Sequence, residues 1–205
     1  MGAITHLSDL NGIEWWEAES LFEEARKPMQ KAFSDVDISI NNLQLGTATI
    51  LAVNSERDKF QVMIVPAGQG KSRIEVALAV QFLLTSTAHV NFVYANRGLK
   101  DRDEREYSKL WSYLTSYSAK IMSRLHHLDS IAEINKTKKN IIIVDESDDV
   151  IFTDLEGFYT KTCAANSRVI CLTATVHDGK EKGSEVTALE KLGFKTYRNA
   201  KAGNL

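Results

Sequence analysis

Apolar residues along this 205-residue chain recur with two periods, and the two periods alternate in order. Continuous apolar or β-branched runs predict short buried strands at 60–65, 89–96, 140–144, 168–172 and 194–197. Apolar residues spaced by three and four predict helices at 13–33, 41–53, 73–84, 107–114, 155–165 and 184–192. Strands that alternate with helices build a parallel sheet covered on both faces. The pattern therefore predicts an α/β fold with a doubly wound, mostly parallel sheet.

The N-terminal segment is expected to form a helical extension ahead of this sheet. Its helix is predicted to begin near Ile13, and Pro28 is expected to kink or divide it. We therefore assign residues 1–40 to an N-terminal helical extension and residues 41–205 to the main domain.

The segment 116–128 continues the helical pattern of the residues before it and is predicted to be helical. On a helix, the adjacent residues His126 and His127 would point about 100° apart and would not bind one metal ion together. We expect a surface role for both histidines.

The strand predicted at 60–65 stops at a loop of small residues, which ends in Lys71 and Ser72 and leads directly into a helix. Strand, glycine loop and helix in this order are typical of a phosphate-binding loop. Glycines let successive backbone N–H groups face one point, and the helix N-terminus adds positive potential. Lys71 is predicted to reach the β- and γ-phosphates, and the Ser72 hydroxyl to ligate Mg²⁺. The predicted phosphate-binding residues are Gly68, Gln69, Gly70, Lys71, Ser72 and Arg73.

One glycine of the full phosphate-binding motif is replaced, because Val65 stands five residues before Gly70. The match is therefore to the shorter form Gly-x-Gly-Lys-Ser. A glycine turn ahead of a surface lysine is the alternative interpretation of this segment.

Two further predicted strands end in polar residues. Asp145 and Glu146 follow one of them, and the segment from Thr173 to Thr175 follows the other. Ligands of doubly wound sheets bind beyond the carboxyl ends of the strands, so we expect these residues to meet the phosphate-binding loop. Asp145 offers Mg²⁺ a hard oxygen ligand through a water molecule, and Glu146 is placed to orient or deprotonate a water that attacks the γ-phosphate. The three segments together predict a nucleotide pocket.

Composition and charge limit the classes of protein to which this chain can belong. The formal net charge is −2, which gives no overall attraction for nucleic acid, although a local basic groove stays open. Cys163 and Cys171 have no disulfide or metal-binding spacing and are expected to be buried thiols. No apolar stretch is long enough to span a bilayer, and the acidic N-terminus is unlike a signal peptide. We expect a reducing, cytoplasmic location, with peripheral contact with a membrane left open.

The segments Gly68 to Ser72, Asp145 to Asp148 and Thr173 to Thr175 resemble motifs I, II and III of superfamily 2 helicase-type ATPases, in order and spacing. The resemblance implies a three-layer RecA-like P-loop NTPase domain that has N-terminal helices and binds ATP and Mg²⁺. It also implies that Thr173 and Thr175 couple the site to movement, as motif III does in that group.

Two shorter motifs add detail to the resemblance to helicase-type ATPases. Asn96, Leu99, Arg102 and Asp103 fill the pattern Asn-x-x-Leu-x-x-Arg-Asp, which is similar to a segment of the SecA preprotein translocase ATPase. Gln44 lies in a segment that resembles the glutamine segment upstream of the P-loop, which reads adenine in helicase-type ATPases.

The chain departs from the SecA family after motif II. A helix-sized stretch separates Asp148 from Thr173, where that family carries a large preprotein-binding insertion. Nothing in this sequence resembles the second RecA-like lobe, which carries the arginine finger in such ATPases. We therefore expect an ATPase with Lys71 and Glu146 as catalytic residues, which is slow in isolation and needs a second lobe or a protein partner. Its polymer substrate, polypeptide or RNA or DNA, is undetermined.

Two other functions are compatible with parts of the pattern. The first is a non-catalytic nucleotide-binding or structural module within a larger assembly. The second is a P-loop kinase of small molecules, which would need an arginine-rich lid; Arg97 and Arg102 are the clustered arginines near the expected pocket. The segment from Thr173 to Thr175 has no role in such a kinase.

Overall fold

The computed structural model describes residues 15–145, 155–164, 166–174 and 190–198. Its strands are β1 (Phe60–Ile64), β2 (His89–Val93), β3 (Leu125–Leu128), β4 (Asn140–Val144), β5 (Ser167–Thr173) and β6 (Lys195–Arg198). They form one sheet in the order β3-β2-β4-β5-β1-β6, and each neighbouring pair is parallel. The predicted parallel α/β fold is therefore confirmed.

The helices pack on both faces of this sheet. They are α1 (Trp15–Asp35), α2 (Asn42–Asn54), α3 (Lys71–Thr85), α4 (Arg97–Glu106), α5 (Ser108–Tyr117), α6 (Ala119–Met122) and α7 (Leu155–Ala164). The 3₁₀ turn Ile131–Glu133 precedes β4. Among the described residues, no helix combines the length and the apolar character that crossing a membrane requires.

Helix α1 continues through Pro28, so the proline does not divide it. A proline inside a helix costs about 3 kcal/mol, but the neighbouring Met29 and Phe33 are fully buried, and burying one such side chain contributes about 1.5–3 kcal/mol. Helix α1 packs on α2 and α3. Its predicted start near Ile13 lies outside the described residues, and the domain boundary at residue 40 stays a prediction.

Alternating side chains of the central strands fill two cores. In β4, Ile141 and Ile143 face one core, and Ile142 and Val144 face the other. The first core is shared with α1, α2, α3 and α5, and the second with α7, through Phe158. The β-branched run predicts this arrangement, because a strand buried on both faces needs apolar side chains at every position. The result is the three-layer architecture that the resemblance implies.

The parallel register brings several strand ends to one edge of the sheet. Ile64 of β1 is opposite Thr173 of β5, and Val144 of β4 is opposite Cys171. The backbone N–H of Val65 donates to the carbonyl oxygen of Thr173 at 2.9 Å. The loop after β1 and the residues that follow β4 and β5 are therefore neighbours, as predicted.

The helix predicted at 116–128 is wrong, because this segment contains the single turn of α6 and the edge strand β3. Pairing with β2 overrides the local helical pattern, and adjacent residues of a strand point to opposite faces. On one face, His126 Nε2 lies 2.9 Å from His89 Nδ1. On the other face, His127 Nδ1 lies 3.0 Å from the Tyr94 hydroxyl. Both histidines are half-buried parts of the sheet, and the expected surface role is corrected.

Candidate functional site

The loop between β1 and α3 has two glycines in the left-handed backbone region. Gly68 has a φ of +79° and Gly70 a φ of +76°, a conformation that residues with a Cβ atom adopt at a cost. Gly70 is the N-cap of α3. The N–H groups at the start of a helix have no carbonyl four residues back and favour an anion, although the Arg73 N–H already donates to the Gly70 carbonyl oxygen at 3.0 Å. The segment predicted to bind phosphate, Gly68 to Arg73, thus forms this loop and the first turn of α3.

Gln44 holds the loop from the side of α2. Its Nε2 donates to the carbonyl oxygen of Gln69 at 3.0 Å, and its Oε1 accepts from the backbone N–H of Asn41 at 3.1 Å. The Asn41 side chain in turn accepts from the Gln44 N–H at 2.8 Å, which completes a capping box at the start of α2. Gln44 is 5% exposed, so the helix start and the loop are fixed to one another through a buried amide.

Lys71 and Asp145 form a buried ion pair at the carboxyl edge of the sheet. Lys71 Nζ lies 3.3 Å from Asp145 Oδ1, and the exposed fractions of the two side chains are 11% and 2%. The Asp145 N–H donates to the carbonyl oxygen of Val93 at 3.2 Å, which fixes the residue just beyond β4. The structure thus brings together two predicted site residues that are distant in sequence.

Two more carboxylates lie beside Asp145. Ligand oxygen atoms of Glu75, Asp103 and Asp145 all lie within 4.8 Å of one another, and the three side chains are buried. Burial, and next the Asp145 carboxylate, raises the pKa of Glu75 well above its usual range. Burial also raises the pKa of Asp103, although a hydrogen bond from Arg102 opposes the shift. Mg²⁺ takes hard oxygen ligands, so the carboxylate of Asp145 and the hydroxyl of Ser72 have the chemistry that fits this ion.

Ser72 contacts helix α4 through Arg102. The Arg102 Nη2 donates to Ser72 Oγ at 2.9 Å, and the same nitrogen lies 2.8 Å from Asp103 Oδ1. The predicted metal ligand of the P-loop is thereby linked to the carboxylates beside Asp145.

Glu75 is a residue of this site that the sequence motifs do not predict. It stands in α3 among Ile74, Val76 and Ala77, all of them buried, and it is itself completely buried. A single acid in a buried apolar run, one helical turn after Lys71, is the signal that would have identified it. The sequence singles out Asp103 only through its motif, because the approach of its carboxylate to Asp145 depends on tertiary structure.

The remaining predicted site residues have different outcomes. Thr173 is 5% exposed at the end of β5, directly beside the start of the glycine loop between β1 and α3. Glu146 and Thr175 lie outside the described residues. Their predicted roles in water activation and coupling stay predictions, as do the nucleotide contacts of Gln44 and Arg73.

Solved structures of helicases share this fold. The UvsW helicase from bacteriophage T4 matches with a TM-score of 0.60 at 13% identity, over 84% of this chain and 67% of that chain. A hypothetical ATP-dependent RNA helicase from Sulfolobus tokodaii matches with a TM-score of 0.53 at 14% identity, over 84% and 56% of the two chains. A DEAD box protein from Methanococcus jannaschii matches with the same TM-score and identity, over 84% and 53%.

These likenesses bear on the fold alone, which is the three-layer, RecA-like α/β arrangement of a parallel sheet between helices. The chain spans between about half and two thirds of the length of these solved structures. No protein-family profile matches the sequence, and no curated protein matches it.

Proposed function

We propose that this chain is a nucleotide-binding motor domain that binds ATP with Mg²⁺ and hydrolyses it with the help of a second lobe. The observation that carries the proposal is the buried Lys71–Asp145 pair, at the point where a left-handed glycine loop enters α3. Burying an ion pair is costly unless the geometry repays it, so this pair calls for a functional explanation. Bound nucleotide and Mg²⁺ provide this explanation, because phosphate would be a stronger partner for Lys71 and Mg²⁺ a stronger partner for Asp145.

In the proposed complex, Lys71 leaves Asp145 and binds the β- and γ-phosphates. Ser72 and Asp145 would then hold Mg²⁺, which neutralises charge on the transferring phosphoryl group when it is bound. The backbone N–H groups of the loop and of the first turn of α3 add donors for the phosphates. Glu146 is proposed to orient or deprotonate the attacking water.

Gln44 is proposed to contact the adenine while it holds the P-loop. Its amide already bridges Asn41 and the Gln69 carbonyl, so adenine recognition would use the remaining lone pair and N–H of the same group. This arrangement would make the position of the loop depend on the presence of the base.

Hydrolysis by the chain alone is expected to be slow, because an arginine finger from a second lobe is worth about 10³–10⁵ in rate in related NTPases. The second lobe, or a protein partner that takes its place, is part of the proposal. The Asn96 to Asp103 segment, which resembles SecA, is the feature that favours a polypeptide substrate, and the likeness to a hypothetical RNA helicase makes RNA the other candidate to assay.

ATPase assays test the activity. The chain is assayed alone and with single-stranded RNA, single-stranded DNA or an unfolded polypeptide, each with and without a candidate second-lobe partner. We expect a low basal rate that one polymer class raises when the partner is present. Saturable Mg·ATP binding with no turnover under any of these conditions would favour the alternative, a non-catalytic module. Rapid turnover by the isolated chain would contradict the need for a second lobe.

A further inference from the structure

Arg102 lies beside Ser72, the proposed Mg²⁺ ligand of the nucleotide site. Its guanidinium reaches from α4 to the P-loop and donates to Ser72 Oγ at 2.9 Å. Two of its nitrogens also contact one oxygen of Asp103, Nε at 2.9 Å and Nη2 at 2.8 Å. The Ser72 hydroxyl that it holds is the one proposed to ligate Mg²⁺, so the two cations compete for one oxygen.

The contact between Arg102 and Ser72 would not persist beside a metal ion bound at Ser72. A guanidinium at hydrogen-bond distance from a metal-ligating oxygen would lie beside a divalent cation, and charges of like sign repel strongly at such separations. The Arg102 side chain is 45% exposed, so its head group is not locked in place by packing. The bond from Nε to the 3% exposed Asp103 anchors the base of the guanidinium. Metal binding would then turn Nη2 away from Ser72 while Nε keeps its partner.

The nearest new partner is a phosphate. Ser72 would hold Mg²⁺ together with the phosphates of a bound nucleotide, so oxygens of the terminal phosphate would lie close to the Ser72 hydroxyl. Lys71 and the loop amides approach from α3, whereas Arg102 approaches from α4. The planar fork of a guanidinium fits phosphate oxygens and forms charge-assisted hydrogen bonds with them.

We propose that Arg102 is a further phosphate-binding residue, which moves from the Ser72 hydroxyl to the terminal phosphate of a bound nucleoside triphosphate. This inference rests on the proposed function. It adds a cation from the same lobe to the terminal phosphate and gives the site a means to distinguish a triphosphate from a diphosphate. Asp103 is a positioning residue in this arrangement, because it holds the arginine without contacting the nucleotide.

Equilibrium binding of Mg·ATP and Mg·ADP to wild type, Arg102→Gln and Arg102→Lys tests the proposal. Arg105→Gln is the matched control, since Arg105 lies exposed on the same helix and its Nε donates to the backbone oxygen of Asp101. Charge-assisted hydrogen bonds are worth about 10- to 100-fold in affinity, so we expect Arg102→Gln to weaken Mg·ATP binding by at least that lower factor. Mg·ADP binding should change by less than about threefold, and Arg105→Gln should leave both affinities unchanged.

Other outcomes overturn the proposal. If Arg102→Gln loses the same affinity for Mg·ATP and Mg·ADP, the role of Arg102 is to position Ser72. If the variant binds both nucleotides more tightly than wild type, Arg102 competes with the metal ion for Ser72. Thermal unfolding shows whether each variant is folded. If Arg102→Gln does not fold, Arg102→Lys replaces it in the test, because lysine keeps a cation beside Asp103. Wild type that binds neither nucleotide would overturn the proposed function and this inference together. Wild type that binds Mg·ATP, with no selective loss in Arg102→Gln or Arg102→Lys, would overturn this inference alone.

Discussion

The side-chain amide of Gln44 fills the space in which a Cβ atom on Gly70 would stand. The amide nitrogen would lie well inside van der Waals contact of that atom, and the Gln44 Cδ would lie 3.2 Å from it. Gly70 also has a φ of +76°, so two independent constraints favour glycine at this position. Helix α2 thereby shapes the glycine loop between β1 and α3 from outside the motif.

Gly70→Ala is expected to lower the free energy of unfolding by about 2–4 kcal/mol, from left-handed strain and overpacking against Gln44. Urea denaturation measures the change. Gly46→Ala is the control, because Gly46 lies within α2 with nothing within 4 Å of an added Cβ; it should stabilise by about 0.5–1 kcal/mol. Adding Gln44→Ala to Gly70→Ala should recover part of the loss. Equal effects of the two glycine substitutions would contradict the role of Gln44.

Glu75→Gln is expected to stabilise the nucleotide-free protein at pH 8. The folded state raises the pKa of Glu75, mainly through burial, so between its ordinary pKa and the raised value the folded state binds more protons than the unfolded state. Stability is then lost as the pH rises through this interval. Glutamine removes that loss, and we expect a gain in the free energy of unfolding at pH 8 that disappears towards pH 4.5.

Chemical denaturation of Glu75→Gln at several pH values measures this gain. Glu104→Gln is the control on the exposed side of α4 and should change stability by less than about 0.5 kcal/mol at every pH. A loss of stability in Glu75→Gln at pH 8 would instead identify Glu75 as an ionised partner of Lys71.

His127 is expected to make the fold sensitive to acid. Burial lowers the pKa of His127 to about 4. In the unfolded chain His127 is protonated below about pH 6.5, whereas in the folded protein it stays neutral down to about pH 4. The free energy of unfolding therefore falls as the pH drops from about 6.5 to about 4. The loss should reach about 2–3 kcal/mol.

His127→Phe keeps an aromatic ring beside Phe92, whose ring stacks on His127 at 5.2 Å between centroids. It removes the titrating group, so its stability should depend less steeply on pH than that of wild type between pH 6.5 and 4.5. Urea unfolding of both proteins across this range provides the comparison. Identical slopes would assign the acid sensitivity to other groups.

Sequence patterns predicted those parts of the fold that local periodicity controls. The run at 140–144 is apolar at every position, which a strand buried on both faces requires, and it forms β4 with these bounds. The edge strand β3 was missed because its four residues include His126 and His127 and follow a helical pattern. Pairing with β2, which no local signal encodes, makes it a strand.

The residues of the candidate site also fall into two groups, those that the sequence predicts and those that only the structure reveals. Lys71 and Asp145 follow from motifs at strand ends, because a parallel sheet gathers such ends at one edge. Glu75 and Asp103 required the structure, since their approach to Asp145 depends on the packing of α3 and α4 against the sheet.

Binding of Mg·ATP to the nucleotide-free protein, measured by isothermal titration calorimetry, tests the proposed phosphate site most directly. Wild type should bind one Mg·ATP saturably, and Lys71→Ala should bind it at least about 100-fold more weakly, since a buried ammonium contact to phosphate is lost. Lys109→Ala, which removes an exposed ammonium of α5, should bind as wild type does. Folded wild type without saturable binding, or Lys71→Ala with undiminished affinity, would contradict a phosphate site at Lys71.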